Sequence, residues 1–398
     1  IGVKGGGINK LFLGSLNFAT FRHNPEDPNS LNNDDIHGIF EDRSGLLWIG
    51  TNGGLNRFDQ STGQWRHYQH DPDDPFSISS NFIGDVFEDS DGFIWVGTFE
   101  NGLNRFDPET ELFRRYQDGD LTNFKGSTVT EIFQDQQGIL WVGSLEGGLN
   151  RYDREKDVFT QYLTDPNDPD SINSNSIVSI YEDQQGYLWI GAFNEGLNKF
   201  DRDNEKFTRF HADADDSSSL SHNLVLAIHE DQAGNLWVGT ASGLNKFDPQ
   251  TGTFTRYREK DGLLSELIYG ILEDELGNLW LSTNHGLSKF NPQKKTFENF
   301  DIQDGLQNNE FNSFAYHKVK SGEMYFGGIS GLNAFFPDQI PENNPYIPPV
   351  VLTRIAQGGD DLDLEQNVNS VSEIFLKWPN NFFEFEFAAL SFAHPNKN

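Results

Sequence analysis

The stretch Gly45-Leu46-Leu47-Trp48-Ile49-Gly50-Thr51 decides the fold of this chain, because its pattern recurs along the sequence. The tryptophan returns with spacings of 47, 46, 48, 48 and 43 residues, and a tyrosine holds the same place 45 residues later. These anchors are Trp48, Trp95, Trp141, Trp189, Trp237, Trp280 and Tyr325. A fixed period of this length is typical of repeat architectures, in which each unit adds its own share of the core.

Each unit contains four short segments separated by turn residues. In the first copy they are Ile39-Phe40-Glu41-Asp42, residues 46–51, Leu55-Asn56-Arg57-Phe58-Asp59 and Trp65-Arg66-His67-Tyr68. Glycine-rich turns separate them, and the i, i+3, i+4, i+7 spacing of an amphipathic helix is not sustained. Four antiparallel strands per unit, repeated around an axis, predict an all-β fold, a seven-bladed β-propeller with four-stranded antiparallel blades. The first strands begin near Asp35, Asn81, Ser127, Asn175, Asn223, Glu266 and Asn312.

The seventh unit lacks its outermost strand, because a Pro-rich stretch follows Gly331-Leu332-Asn333-Ala334-Phe335-Phe336. The segment Asn17-Phe18-Ala19-Thr20-Phe21-Arg22-His23 offers a spare strand, and its pairing with the last blade would close the ring and remove open edges. In the competing interpretation, the N-terminal strands complete an upstream blade of a longer array. Residues 1–10 read like residues 49–57, so we expect the chain to be a fragment of a longer protein.

The acidic composition narrows the classes of partner. The chain carries 61 acidic and 29 basic residues, a formal net charge of −32, so we expect neither nucleic acid nor a membrane surface as a direct partner. The absence of cysteine excludes a disulfide scaffold, a thiolate metal site and a cysteine nucleophile. No apolar run reaches the length of about 18 residues at which a membrane-spanning helix becomes a candidate. We expect no cofactor.

The tail predicts a second domain after a propeller of residues 1–340. Residues 341–349 are rich in Pro and Asn and are typical of a linker. Beyond them, residues 350–355, 374–376 and 383–387 alternate like the strands of a small sandwich. About 50 residues are few for a complete sandwich, so residues 350–398 predict a truncated Ig-like segment.

The residues that repeat favour structural roles. Each Trp occupies the same strand position, where a large ring fills the wedge between neighbouring blades. Asp89-Ser90-Asp91-Gly92 resembles part of a calcium loop, but its counterparts 42–45 and 183–186 lack the second carboxylate, which favours a hairpin over a metal site. The Asp-Pro-x-Asp-Pro crossovers, such as residues 71–75, predict rigid turns capped by carboxylates, with calcium binding as a weaker alternative.

No catalytic residue is assigned, because the phosphate loop, the nucleophile elbow and the His-Glu-x-x-His motif are all missing from the sequence. A pair of carboxylates for glycoside hydrolysis stays open as a hypothesis, since so many acidic residues are present.

The two ends of the blades differ in how much they vary between units. The turns after the first and third strands, here called the first face, are nearly identical, whereas the turns after the second strands and the crossovers between blades, the second face, vary. Loops on a rigid scaffold are where binding usually occurs, and the aromatic, carboxylate and amide groups of these turns suit a small-molecule ligand rich in hydroxyl groups, such as an oligosaccharide. Ordinary solvated turns are the alternative. The candidate ligand-binding residues are Phe99, Glu100, Asn101, Glu146, Phe193, Asn194, Glu195, Asn284 and His285.

The unit Gly-x-Leu-Trp-Ile-Gly-Thr-x-x-Gly-Leu-Asn-Arg-Phe-Asp, complete at residues 45–59 and nearly complete at 92–107 and 138–153, resembles the two-component regulator propeller repeat. Residues 351–353 and 381–390 are similar to the first half of the three-tyrosine domain that follows such propellers. The resemblance implies the periplasmic sensor of an inner-membrane hybrid histidine kinase, which senses an oligosaccharide and signals through other domains. A homodimer of the full receptor is compatible with it, and no enzymatic activity is expected of this part.

Two other functions stay open. A propeller similar to the streptogramin lyases would need a metal-supported cluster of His and Glu at the funnel, the central opening of the ring on the second face. His285 is the only His in a second-strand turn. A propeller that only docks other proteins is the third hypothesis.

Overall fold

The structure, a computed structural model, describes residues 18–340, 350–357, 360–361 and 383–389. The chain divides into two compact units, one of Leu16–Ile340 and one of Ile1–Ser15 with Pro341–Asn398. The first unit contains seven four-stranded antiparallel sheets. It is the seven-bladed β-propeller that the repeat predicts.

In blades 1 to 6 the strands follow one another in chain order from the axis of the ring outward. Blade 1 comprises β2 (Ile36–Glu41), β3 (Leu46–Thr51), β4 (Gly54–Asp59) and β5 (Gln64–Tyr68). Blade 2 comprises β6 (Ile83–Glu88), β7 (Ile94–Thr98), β8 (Leu103–Asp107) and β9 (Leu112–Tyr116). Blade 3 comprises β10 (Thr128–Gln134), β11 (Leu140–Leu145), β12 (Gly148–Asp153) and β13 (Val158–Tyr162). Blade 4 comprises β14 (Ile177–Glu182), β15 (Leu188–Ala192), β16 (Gly196–Asp201) and β17 (Lys206–Phe210).

The remaining blades differ in their connections. Blade 5 comprises β18 (Val225–Glu230), β19 (Leu236–Thr240), β20 (Gly243–Asp248) and β21 (Thr253–Tyr257). Blade 6 comprises β22 (Ile268–Glu273), β23 (Leu279–Thr283), β24 (Gly286–Asn291) and β25 (Thr296–Phe300). Blade 7 comprises β26 (Phe311–Lys318), β27 (Met324–Gly328), β28 (Gly331–Phe335) and β1 (Ala19–Phe21). Short 3-10 helices at Glu259–Asp261 and Ile302–Asp304 stand in the crossovers to blades 6 and 7, where the crossovers to blades 2 and 4 have Asp-Pro turns, and a third, Pro337–Gln339, follows β28.

The N-terminal strand closes the ring, which agrees with the first of the two interpretations of residues 17–23. β1 pairs antiparallel with β28, with Ala19 opposite Ala334 and Phe21 opposite Leu332. The Phe21 ring packs against blade 1, 5.7 Å from the ring of Phe58. The last blade is therefore built from both ends of the propeller, and its edge is covered.

Seven hydrophobic clusters fill the wedges between adjacent blades, and the repeat's tryptophans lie in them as predicted. Each Trp is at most 2% exposed and packs against side chains of the next blade. Its indole N–H donates to the aspartate that precedes the turn between the first two strands, at 2.7 to 3.1 Å. The aspartate that follows the first strand of the repeat is thus the hydrogen-bond acceptor of its Trp, because a buried indole N–H needs an acceptor.

The glycine that follows the Trp-Ile pair is required by the approach of the next blade. A Cβ on Gly50, Gly97 or Gly143 would lie 2.4 to 2.8 Å from a branched side chain on the neighbouring inner strand. For Gly143 the neighbour is Ile177. The repeat keeps glycine there to let the blades pack closely, since real side chains do not approach one another so closely.

Part of the predicted second domain is described. β29 (Val350–Gln357) pairs antiparallel with β31 (Phe383–Ala389) and with the short β30 (Asp360–Asp361). Arg354 bridges to Glu384 at 3.0 Å and to Glu386 at 3.2 Å. The segments 350–355 and 383–387, which the sequence predicts as the first and last strands of the tail, therefore form strands in the structure. The predicted strand at 374–376, the linker at 341–349 and residues 1–10 lie outside the described residues, and the Ig-like sandwich stays a prediction.

Candidate functional site

The asparagine that follows the leucine of the third strand fixes the crossover that leads to its blade on the second face. In blade 5, Asn245 accepts a hydrogen bond from Ser221 N–H at 2.9 Å and donates from Nδ2 to Ser221 Oγ at 2.8 Å. In blade 4, Asn198 makes the same pair of bonds with Asn173. Both asparagines are fully buried. The loops of the second face therefore stand on rigid internal supports, as a preorganised binding surface requires.

The Asp-Pro turns are rigid, as predicted, but they lie at the rim of the ring and away from the funnel. Asp71 Oδ1 accepts from Asp73 N–H, and Asp74 Oδ1 accepts from Phe76 N–H, both at 2.9 Å. The carbonyl of Phe76 then accepts from Phe113 N–H on the outer strand of blade 2. An edge strand has unpaired N–H groups, and the crossover covers them. The Asp-Pro part of the crossover therefore covers the outer edge of the neighbouring strand.

Six of the nine predicted ligand-binding residues are exposed on the second face, and their side chains form no hydrogen bond to the part of the chain that the structure describes. They are Glu100, Glu146, Phe193, Asn194, Glu195 and His285. The Phe193 side chain is 48% exposed in the second-strand turn of blade 4. Because these residues are spread over blades 2, 3, 4 and 6, the fold does not bring them together into one cluster, and ligand binding by them stays a prediction.

The other three predicted residues are engaged by the fold. The ring of Phe99 lies over Gly84 and meets the His37 ring edge-on at 5.1 Å. Asn101 donates from Nδ2 to the carbonyl of Ser79 at 3.2 Å. Asn284 accepts from Ser265 Oγ at 2.6 Å. Their side chains hold the second-face turns in place, so any ligand contact from them would compete with these bonds.

A groove of about 590 Å³ lies on the second face between blades 4 and 5. Asn194, one of the predicted residues, lines it from the second-strand turn of blade 4. His222 and Asn223 line it from the crossover, and Arg256 and Arg258 line it from the end of the outer strand of blade 5. This groove brings the variable loops of two blades together around polar side chains.

The two arginines of the groove are not among the residues predicted from the sequence, and they differ in how the fold engages them. Arg256 belongs to a repeated structural set, because it donates to the carbonyls of Ser219 and Asp216 as Arg115 and Arg209 do in their blades. Arg258 follows the outer strand, at a position that holds Gln69 and Gln117 in blades 1 and 2. Blade 7 also carries an arginine there, Arg22, which donates to the carbonyl of Gln307.

The axis of the ring contains two carboxyl groups that the repeat does not predict. Asp85 and Glu131 occupy an inner-strand position where other blades carry Gly38, Ser179 or Ala227. Both line an axial cavity of about 110 Å³ together with Tyr316 from blade 7. Asp85 accepts from Val86 N–H at 2.8 Å and from Ile132 N–H at 2.7 Å.

Burial controls the ionisation of these groups. It raises the pKa of Asp85 to about 7, against the effect of the two backbone hydrogen bonds. Burial also raises the pKa of Glu131 well above its usual value, and the nearby charge of Asp85 adds to the shift. The pKa of the Tyr316 hydroxyl is raised for the same reason. These groups therefore favour their neutral forms, as expected for acids removed from water.

The described residues contain neither a candidate metal cluster nor a candidate membrane-spanning helix. Among residues 18–340 and the described strands of the tail, no group of three or more His, Asp or Glu is placed to hold a metal ion. In the same residues, no helix combines the length and the apolar character needed to span a bilayer.

Comparison with known proteins places the repeat. The family model for the two-component regulator propeller matches residues 30–53, 77–100, 123–146, 171–194, 219–242 and 262–285. A stretch of 100 residues is 33% identical to histidine kinase P4 of Formosa agariphila, a match that covers 23% of this chain and 7% of that protein.

Among solved structures, the extracellular domain of a hybrid two-component system from B. thetaiotaomicron is 27% identical, with a TM-score of 0.74 over 95% of this chain and 49% of that one. A second such domain from that organism is 22% identical, with a TM-score of 0.64 over 96% of this chain and 50% of the other. The chain thus spans about half the length of these domains. A streptogramin B lyase is 15% identical with a TM-score of 0.58 over 80% of this chain and 96% of the lyase, a likeness of fold alone. Six of the seven blades of this chain carry the two-component regulator propeller repeat.

Proposed function

We propose that this chain is the ligand-binding sensor part of a two-component receptor, that it lies in the periplasm, and that its ligand is an oligosaccharide. The observation that carries the proposal is its 27% identity, over 95% of its length, to an extracellular domain of a hybrid two-component system. The identity to a histidine kinase of Formosa agariphila agrees with it. Signal output belongs to domains outside this chain.

The second face supports the binding part of the proposal. Its loops vary between blades while the buried asparagines beneath them are held in place, so the ring separates a constant scaffold from a variable surface. An oligosaccharide offers hydroxyl groups to amides and apolar ring faces to aromatic side chains. Phe193 and Asn194 present both kinds of group in one turn beside the groove between blades 4 and 5.

The test is a glycan array probed with the purified chain, followed by calorimetric titration of the bound glycans. We expect at least one oligosaccharide to bind, and Phe193→Ala to weaken its binding severalfold, because a stacked ring contributes about 0.5–1.5 kcal/mol. Leu276→Ala is the matched control, since Leu276 is an apolar side chain 75% exposed on the first face. Failure of every glycan to bind would overturn the oligosaccharide proposal.

A further inference from the structure

We propose that the groove between blades 4 and 5 binds an anionic group of a saccharide, a uronate carboxylate or a sulfate ester, through the guanidinium of Arg258. The inference rests on the proposed sensing function and adds the charge of the ligand and the place where it binds. Both anions share the chemistry that matters, which is a cluster of negatively charged oxygens that accept from the N–H fork of arginine.

The first argument is the unsatisfied state of Arg258. Its Nε is buried and has no hydrogen-bond partner in the described residues, and its guanidinium forms no ion pair there. The equivalent side chains of other blades fold back onto backbone carbonyls: Gln69 donates to Gly53 at 2.9 Å, and Arg22 donates to Gln307 at 2.8 Å. A buried donor that lacks a partner costs free energy, so Arg258 points to an acceptor that comes from outside the chain.

The second argument is that the groove around Arg258 presents hydrogen-bond donors. His222 Nδ1 accepts from Leu224 N–H at 2.9 Å, so its neutral ring carries the proton on Nε2 and can donate from there. Asn223 Oδ1 accepts from Ala212 N–H at 2.7 Å, which leaves its Nδ2 to donate. The amide of Asn194 lies at the same groove. Donors that converge beside a cation suit an anionic acceptor more than a neutral sugar.

The third argument is the local charge. Burial lowers the pKa of Arg256 and the positive charge of Arg258 lowers it further, while the carboxylates of Asp216 and Asp213 oppose this shift, so two cations lie close together in a chain of net charge −32. The carboxylate of Asp213, which also lines the groove, is partly occupied, because its Oδ1 accepts from Asp215 N–H at 2.9 Å. An anion in the groove would relieve the repulsion between the two arginines.

The experiment compares matched glycans on the full chain. The array carries oligogalacturonates beside their methyl esters, and sulfated carrageenan oligosaccharides beside their desulfated forms. The strongest binder is then titrated calorimetrically into the parent chain and two variants. Arg258→Gln installs the residue that blades 1 and 2 carry at this position, and thermal unfolding checks that it folds. Lys294→Gln removes one positive charge from an exposed turn of the first face and is the control.

We expect the charged glycan of a pair to bind in preference to its neutral form, and the arm that binds identifies a carboxylate or a sulfate. Arg258→Gln should weaken binding about tenfold or more, because a hydrogen bond to a charged group contributes about 1.5–3 kcal/mol, while Lys294→Gln leaves the affinity unchanged. Equal binding of the neutral forms, or an affinity that Arg258→Gln leaves within twofold, overturns the inference and keeps the sensing function. If no glycan binds at all, both proposals fail.

Discussion

Trp95 Nε1 donates a hydrogen bond to Asp89 Oδ2 at 2.7 Å, and the other oxygen of Asp89 accepts from two backbone N–H groups of the turn that joins them. The aspartate therefore ties the turn of the first face to the tryptophan that fills the wedge with blade 3. In blade 7 both partners are replaced together: Val319 stands in place of the aspartate and Tyr325 in place of the tryptophan. The Tyr325 hydroxyl donates to Glu323 at 2.7 Å instead.

Removal of this acceptor should destabilise the ring. We expect Asp89→Ala to lower the free energy of unfolding by about 2–4 kcal/mol, because it strands a buried indole N–H and two turn N–H groups. Urea denaturation followed by circular dichroism measures the loss. Asp91→Ala is the control: Asp91 lies in the same turn, is exposed and pairs with Arg154 at 2.6 Å, and such a pair contributes at most about 1 kcal/mol. Equal losses in the two variants would contradict the structural role of Asp89.

The close packing of adjacent blades gives a second prediction. A methyl group on Gly143 would lie 2.8 Å from Ile177 Cγ2, so we expect Gly143→Ala to cost about 1–3 kcal/mol of stability by overpacking. Ile177→Ala opens space at this contact. In a chain that already carries Ile177→Ala, we therefore expect Gly143→Ala to lower the free energy of unfolding less than it does in the parent chain. Additive losses in this double-mutant cycle would show that the two positions do not touch.

The pairing of β1 with β28, here called the joint of the ring, should open locally when its packing against blade 1 is weakened. Phe21→Ala removes the ring that packs against Phe58 and Trp65 of blade 1. We expect faster amide hydrogen exchange in β1 and β28, whereas the amides of β15 in blade 4, which lie away from the joint, keep their protection. Exchange measured by mass spectrometry distinguishes this local opening from uniform destabilisation, which would raise exchange in all three strands.

Stability should fall as the pH rises from about 5 to 8, because of the axial carboxyls. Their pKa values in the folded chain lie above those of an unfolded chain, with Asp85 at about 7, so in this range the folded state keeps protons that the unfolded state has released. Its advantage is complete below the unfolded pKa and is lost as the pH passes the folded pKa. One pKa unit corresponds to about 1.4 kcal/mol, and we expect a loss on the order of 3 kcal/mol.

Glu131→Gln should reduce this loss, since a neutral amide has no proton to release. Urea denaturation at pH 5 and pH 8 measures the difference for the parent chain and the variant. Glu100→Gln, which removes an exposed carboxylate of the second face, corrects for the general repulsion of a chain with a net charge of −32. If the free energy of unfolding falls between pH 5 and pH 8 as steeply in Glu131→Gln as in Glu100→Gln, the role of the axial pair is contradicted.

Much of the fold was predictable because its determinants repeat. Trp48 and its six counterparts give the number of blades. The seventh unit lacks an outer strand and residues 17–23 offer one, which correctly indicates β1 as the closing strand. Geometry explains this success: every blade makes the same wedge contacts, so the same residue types return at the same positions.

The candidate site was less predictable because its features occur once. Arg258 differs from Arg22, its counterpart in blade 7, in that no backbone carbonyl of the described residues accepts from its Nε, and the axial pair of Asp85 and Glu131 depends on two adjacent blades placing carboxyls at one level of the ring. Phe314 adopts a left-handed φ of 68° in the longer inner strand of blade 7, a backbone choice that no sequence pattern announces and that is unfavourable for a bulky residue. A pattern common to all units cannot predict departures from it.

The antiparallel joint of blade 7 also sets how the ring would respond to force. Ala19 lies opposite Ala334, so the chain enters β1 and leaves β28 at the same end of the pair. Tension between these two points would peel the strands apart one hydrogen bond at a time, whereas most strand pairs loaded from opposite ends resist in shear. The rings of Phe18 and Phe335, whose centroids lie 4.8 Å apart at that end, are the first contact to bear the load, which makes them the mechanical latch of the propeller.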